Sequence, residues 1–187
     1  MSQGLLVSIV SPSGGGKTTV VNELVKQLPN SVRLVTSTTR SPRPGEIDGV
    51  DYHFLTRSEF VYKIVQGDFA EHIQYAGNYY GIDRREVELQ LSTYQYVLAP
   101  IDVQGSESLR VYPYHQIRIF LKPESLEVLR TRLARRPNSN EEEISRRLGY
   151  AEVEIAKASE FDAIVTNHEG RLAETIAEVK KLLSMVK

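Results

Sequence analysis

Ser11-Pro12-Ser13-Gly14-Gly15-Gly16-Lys17-Thr18-Thr19 sets a glycine-rich turn directly ahead of a lysine and two hydroxyls. Glycines let the backbone curl until successive N–H groups point inward and cradle phosphate oxygens. A helix starting where the turn ends adds its partial positive charge. In that arrangement Ser13, Gly14, Gly15, Gly16 and Thr19 line the phosphates. Lys17 reaches the β- and γ-phosphates, and the Thr18 hydroxyl is placed for Mg²⁺. The usual pattern opens with glycine, and here that position is Ser11. The Gly-Lys-Thr end, which touches phosphate and metal, is intact. The stretch is a nucleoside triphosphate site.

The flanking sequence supplies the required strand and helix. Leu5 through Val10 is an apolar run, and Val20, Val21, Leu24, Val25 and Leu28 recur at helical spacing until Pro29. Val32 to Val35 reads as a second strand. Thr36 to Glu46 is polar and turn-rich and carries Arg40 and Arg43, with two prolines restricting the backbone beside Arg43. Asp48-Gly49 signals a hairpin, and Tyr52 and Phe54 alternate with Asp51 and His53 as on a half-buried strand. Thr56 and Glu59 have capping-box spacing ahead of a helix ended by Gly67. A strand from Ala70 to Tyr75, a turn at Ala76-Gly77-Asn78 and Tyr79-Tyr80-Gly81 follow. Residues 36–82 therefore read as a small mixed β/α insertion in an α/β core.

The core pattern then resumes. A helix starts near Asp83 and Glu86, and a buried strand begins at Tyr96, where Pro100 should stop or bulge it because proline cannot donate to a ladder. Residues 103–112 are helical in pattern, with Gly105 weakening it, and 116–121 form another strand. Leu126, Leu129 and Leu133 mark a helix running into Arg135-Arg136-Pro137 and a polar loop. Ile144, Leu148, Ala151 and Ile155 mark a long helix, Ala163 to Val165 a last strand, and Leu172, Ile176, Val179 and Leu183 a closing helix. Such alternation predicts a mostly parallel sheet covered on both faces. Ligands in such sheets sit at the strand C-terminal ends, where the glycine-rich turn, Thr36, Asp102 and Asn167 all fall.

Phosphoryl transfer needs positioning and charge neutralisation, and it needs an acceptor. Arg40 and Arg43 can grip an anionic group through guanidinium forks, and Tyr52 and Tyr80 can add phenolic hydrogen bonds. Glu71 and Asp102 can accept from the N–H groups of a base. Guanine offers N1–H and N2–H₂ together, which suits paired carboxylates; adenine offers only N6–H₂. Arg132, Arg136, Arg146 and Arg147 bracket the polar loop, and a closing lid would bring them onto phosphates and exclude water. Without a ligand, these same arginines read as solvated loop and helix faces. His53, His72, His115 and His168 lack metal-ligand spacing and read as structural or exposed.

Composition narrows the partners. With 187 residues the chain suffices for one domain with a sizeable core. Its net charge of −1 gives no global basic field toward nucleic acid or membrane, so anion recognition must come from local clusters. The absence of cysteine excludes disulfides, thiolate catalysis and Cys–zinc sites. No signal peptide or bilayer-length apolar run is visible, so the expected location is cytoplasmic, with neither nucleic acid nor membrane as partner.

Several motifs in one order make nearly the whole chain resemble guanylate kinase. They are the 11–18 turn, Thr38-Thr39-Arg40-Ser41-Pro42-Arg43-Pro44-Gly45-Glu46, Gly49-Val50-Asp51-Tyr52, Gly77-Asn78-Tyr79-Tyr80-Gly81 and Ile101-Asp102-Val103-Gln104-Gly105. The resemblance implies an α/β P-loop kinase core with a mostly parallel five-stranded sheet (1–35, 83–124 and 149–187). It adds a mixed β/α GMP-binding insertion (36–82) and a helical lid (125–148). It implies Mg²⁺-dependent transfer from ATP to GMP or dGMP by a monomer or homodimer. By similarity, Arg40, Arg43, Tyr52 and Tyr80 hold the GMP phosphate, and Glu71, Asp102 and Thr36 serve the base. Lys17, Arg40, Arg132, Arg136 and Arg147 are implied on the catalytic phosphates, and Asn167 near the adenine of ATP.

Four positions depart from the family pattern. Pro100 replaces an acid two positions before Asp102, Ile82 a base-side hydroxyl, Pro137 a glycine of the lid, and His168 an aspartate after Asn167. These departures imply a divergent enzyme, slower or altered in acceptor preference. Two other readings remain open. A catalytically weakened, guanylate kinase-like binding module would bind GMP without turnover. A kinase of another nucleotide or of a phosphorylated sugar is the second, and the Glu71 and Asp102 pair makes little sense for a sugar.

Overall fold

In the computed structural model, residues 4–75, 77–135 and 140–186 are described. The first half carries β1 (Leu5–Val10), α1 (Lys17–Gln27), β2 (Ser31–Arg33), β3 (Ser37–Thr38), β4 (His53–Phe54), α2 (Arg57–Gln66), β5 (Phe69–Tyr75) and β6 (Asn78–Asp83). The second carries α3 (Arg84–Thr93), β7 (Tyr96–Ile101), α4 (Val103–Arg110), β8 (Gln116–Pro123), α5 (Leu126–Ala134), α6 (Glu141–Ala156), β9 (Ala163–Asn167) and α7 (Leu172–Met185).

Every residue of β1 is buried, as expected for a strand covered on both faces. It lies at the centre of a parallel sheet in the order β2-β7-β1-β8-β9. One face packs Val20, Val21 and Leu24 of α1 with Ile176, Val179 and Leu183 of α7. The other packs Val87 and Leu91 of α3 with Val103 and Leu109 of α4. Each such side chain, removed from water, contributes about 1.5–3 kcal/mol before the entropy of ordering it.

Pro100 neither stops nor bulges its strand. β7 runs through it, with Ile9 paired to Pro100 in unbroken register with β1. The reason lies on the other edge. The Leu34 N–H donates to the Leu98 carbonyl (2.9 Å), so Leu98, and with it Pro100, faces the β2 side of the sheet. β2 pairs only as far as Leu98. The N–H that proline lacks is the one that would meet the Leu34 carbonyl, so the β2 ladder ends there while the β1 ladder stays whole. β2 is also shorter and earlier than its apolar pattern predicts, although Leu34 is buried against the core.

Residues 37–83 build a second sheet, in the order β4-β3-β6-β5. Its strand β3 lies inside the stretch that reads as loop, because Ser37 and Thr38 are polar, yet both are buried. Their backbone groups bond to β4 and β6, and the Thr38 hydroxyl donates to the Tyr79 carbonyl (3.0 Å). Asp48-Gly49 does not make the expected hairpin: β3 and β4 are parallel, and Gly49 turns within an isolated bridge from Asp48 to Tyr52. Thr56 and Glu59 do form the capping box of α2. Phe60 of α2 stacks between Phe69 (4.4 Å) and Tyr79 (5.3 Å).

The chain between β8 and β9 forms α5 and α6, joined by a third small core of Leu129, Leu133, Ile144 and Ala151. Asn140 caps α6 by accepting from the Glu143 N–H (2.8 Å). Gly105 does not interrupt α4.

A Cβ at Gly81 would lie 2.8 Å from Phe60 and 2.9 Å from Phe69. Gly81→Ala should therefore spread the Phe60 stack and destabilise the protein by about 1–3 kcal/mol. Urea unfolding measures this, and an unchanged midpoint would contradict the tight packing.

Candidate active site

The glycine-rich turn joins β1 to α1 at the C-terminal end of the sheet. Gly14 and Gly16 take left-handed backbone angles (φ 90° and 95°) that side chains resist. Gly16 caps α1 without any side-chain bond, which leaves the first helical N–H groups for an anion. Ser11 is absorbed into the loop: its hydroxyl donates to the Pro12 carbonyl (3.1 Å). Lys17 Nζ donates to the Ser11 carbonyl (3.1 Å), folded along the loop it serves.

Asn167, at the end of β9, fixes this loop from the side. Its Nδ2 donates to the Gly15 carbonyl (2.8 Å), and its Oδ1 accepts from Thr175 (3.2 Å). A Cβ on Gly16 would come within 2.5 Å of that Nδ2. The Asn167 carboxamide therefore ties the loop to α7.

The helices after β8 bring arginines to the same loop. Arg147 of α6 donates to the Ser13 hydroxyl (2.7 Å) and to Glu143 (2.9 and 2.6 Å). Arg132 of α5 donates to Glu169 (2.8 Å) and to the Asn167 carbonyl (3.4 Å). Its Nη1 is buried and has no hydrogen-bond partner among the described residues; it lies 3.8 Å from where a Gly16 Cβ would stand. A buried, unmatched guanidinium N–H beside a glycine turn is suited to a phosphate oxygen. Arg146 also lines the cleft. Arg136 and Pro137 lie outside the described residues.

Opposite, Arg40 lies over the rings of Tyr52 (5.4 Å) and Phe54 (5.8 Å) and donates to Glu46 (2.9 Å). The other Glu46 oxygen accepts from the Arg43 backbone N–H (2.7 Å). Burial works against this carboxylate, yet the Arg40 and Arg43 bonds hold its pKa below the ordinary value. The exposed Arg43 side chain and the Tyr80 ring, 6.4 Å from Tyr52, line the cleft beside Arg40. Burial, then the neighbouring Tyr80, push the Tyr52 hydroxyl up.

Glu71 and Asp102 meet at the floor. Asp102 caps α4 by accepting from the Gly105 N–H (2.8 Å). A Cβ on Gly105 would lie 3.3 Å from Asp102 Oδ1 and 3.4 Å from Glu71 Oε2, so two carboxyl groups converge over one glycine. Burial first, and then the Asp102 charge, push the Glu71 carboxyl up to about 8. Thr36 lines the same floor, and Ile82 stands next to Glu71 in strand register.

The groups described line a single cavity of about 1380 Å³, roomy enough for two nucleotides end to end. Its lining joins the anion-binding groups to the carboxyl pair. His53 pairs with Glu86 (3.0 Å), and His168, which lines the cleft next to Asn167, pairs with Glu124 (3.5 Å).

Sequence reasoning missed four carboxylates. Glu46, Glu143 and Glu169 hold the arginines. Glu154 of α6 reaches into the cleft, where burial pushes its carboxyl up to about 7, with Lys17 opposing and Asp102 adding to the shift. Glu143 was accessible from its i,i+4 spacing to Arg147. The other three give no signal in an isolated sequence.

The family model described as guanylate kinase matches residues 3–186. Among curated relatives, a guanylate kinase of Rickettsia bellii (strain RML369-C) is 38% identical over 97% of this chain and 94% of its own. One of Wolbachia pipientis wMel is 39% identical over 98% of this chain and 90% of its own. The crystal structure of guanylate kinase from Anaplasma phagocytophilum superposes with a TM-score of 0.79 at 31% identity, covering 98% of this chain and 86% of that one.

The raised Glu71 pKa makes a stability statement. Its folded value of about 8 lies above the ordinary 4.5, so the folded state holds the proton more tightly, and stability falls as pH rises between those values. Glu71→Gln should therefore melt higher than the parent protein at pH 8.5 and close to it at pH 4.5. An equal difference at both pH values in thermal melts would contradict the assignment.

Proposed function

We propose residue roles from one premise: the chain belongs to the guanylate kinase family and carries out ATP:GMP phosphotransfer. The observation that carries the roles is the joining of the phosphate loop and the Glu71–Asp102 pair in one cleft.

Ser13, Gly14, Gly15, Gly16, Lys17, Thr18 and Thr19 take the ATP phosphates, with Asn167 holding their loop in shape. Arg40, Arg43, Tyr52 and Tyr80 take the GMP phosphate. Glu71 and Asp102 accept from guanine N1–H and N2–H₂, with Thr36 beside them. These contacts leave the sugar unread, so dGMP belongs to the same substrate class. An oxygen of the GMP phosphate attacks the γ-phosphorus, the bond to the β–γ bridging oxygen breaks, and ADP leaves. Lys17, Arg132, Arg147 and the undescribed Arg136 neutralise the charge that spreads over the transferring group. Mg²⁺, if bound, would supply charge neutralisation on the triphosphate. The exposed Thr18 hydroxyl in the cleft is a hard oxygen donor that fits it.

In this reading residues 1–35, 83–124 and 149–187 form the core, 36–82 the GMP-binding insertion and 125–148 the lid. Among the described residues no helix is long and apolar enough to cross a membrane. A cytoplasmic location, a monomer or homodimer, and the lack of nucleic-acid or membrane partners remain part of the proposal.

ADP release with GMP, dGMP, AMP, CMP and UMP in parallel tests the base reading. GMP and dGMP should turn over, and the others should not. Asp102→Asn should lower kcat/KM for GMP by about 10–100-fold, the worth of a hydrogen bond to a charged group, and leave ATP affinity unchanged. A loss of ATP binding with GMP binding intact would reverse the role. Glu46→Gln should raise KM for GMP about 10-fold with kcat nearly unchanged, because it loosens Arg40 before GMP arrives. An unchanged KM would show that Arg40 needs no such support.

A further inference from the structure

In phosphate-loop enzymes the loop hydroxyl usually shares its metal with an acid at the end of a neighbouring strand. β7 is that neighbour here, paired to β1 as far as Val10 and Ile101. Its end offers Pro100, which carries no carboxylate, and buried Ile101. Asp102 comes next, but it caps α4 and converges with Glu71 on the base floor. The strand therefore leaves the metal without an acid of its own.

A carboxylate reaches the same place from across the cleft. On α6, Arg147, Tyr150 and Glu154 follow at i, i+3 and i+7, one helical face, and all line the cavity. Glu154 is close enough to both Lys17 and Asp102 for their charges to act on it. No described residue donates a hydrogen bond to its carboxyl group, whereas Glu143 on the same helix is held by Arg147. A bare carboxylate facing the phosphates of two nucleotides would repel them unless a cation stood between.

We propose that Glu154 is the acidic partner of Mg²⁺ at the phosphate loop, acting through metal-bound water in place of the acid that β7 lacks. Mg²⁺ suits this position because it keeps several waters and takes only one or two carboxylates. The proposal rests on the role given to Thr18 above and adds a second protein group, from α6, to the metal site.

The test is calorimetric binding of a non-hydrolysable ATP analogue, with Mg²⁺ and with a chelator, to the parent protein and to Glu154→Gln. In the parent protein, Mg²⁺ should tighten binding. The variant should lose about 10-fold in affinity with Mg²⁺, the usual cost of removing an outer partner of a metal. It should bind the metal-free analogue within about 2-fold of the parent, which also shows that it is folded. Equal weakening with and without Mg²⁺ would overturn the proposal and make Glu154 a partner of Lys17 instead. Full Mg²⁺ dependence retained in the variant would overturn it alone. A parent protein that binds equally with and without Mg²⁺ would overturn it together with the Thr18 reading.

Discussion

A cleft that gathers Lys17, Arg40, Arg43, Arg132, Arg146 and Arg147 repels itself when empty, in a chain whose net charge is only −1. The fold answers with oxygen partners for the groups that converge most closely. Arg40 rests on Glu46, Arg132 on Glu169, Arg147 on Glu143 and Lys17 on the Ser11 carbonyl. These pairs are partly open to water, and such pairs are worth little individually, on the order of 0–1 kcal/mol. They orient each cation and can be given up cheaply when a phosphate arrives. A fully buried pair would hold too tightly, and an unpaired arginine would need ordering during binding.

The same contacts tie α5 and α6 to the core of the fold. Arg147 bridges α6 to Ser13, Arg132 bridges α5 to the end of β9, and Asn167 bridges β9 to Gly15. The shape of the phosphate loop thus depends on residues more than 100 positions away. The left-handed Gly16 exists in this network because a side chain there would collide with Asn167. At the other end of the cleft, Gly105 plays the matching part by letting two carboxyl groups approach a common point.

What was legible in the sequence follows from the range of the forces involved. The phosphate loop, the Thr56 capping box and the helices announce themselves through local spacing, and the structure has them. Glu71 and Asp102 stand out in the sequence as acids suited to a base, and the structure brings the two together over Gly105. The failures came where neighbours decide. Pro100 passes through its strand because its missing N–H faces the β2 edge and leaves the pairing with β1 whole, which depends on which neighbour lies on which side. Ser37 and Thr38 form a strand without apolar residues because β4 and β6 flank them. Glu154 was invisible for the same reason: its meaning comes from Lys17 and Asp102, brought close by folding.

In the proposed reaction one cleft holds both nucleotides, with the arginines exchanging carboxylates for phosphates. A crystal structure with a bisubstrate analogue, adenosine and guanosine joined through a phosphate chain, tests it most directly. Guanine N1–H and N2–H₂ should lie on Glu71 and Asp102. Arg132 and Arg147 should have turned from Glu169 and Glu143 to the phosphates, with Lys17 off the Ser11 carbonyl. Arginines still resting on their carboxylates, or a guanine bound away from that pair, would contradict it.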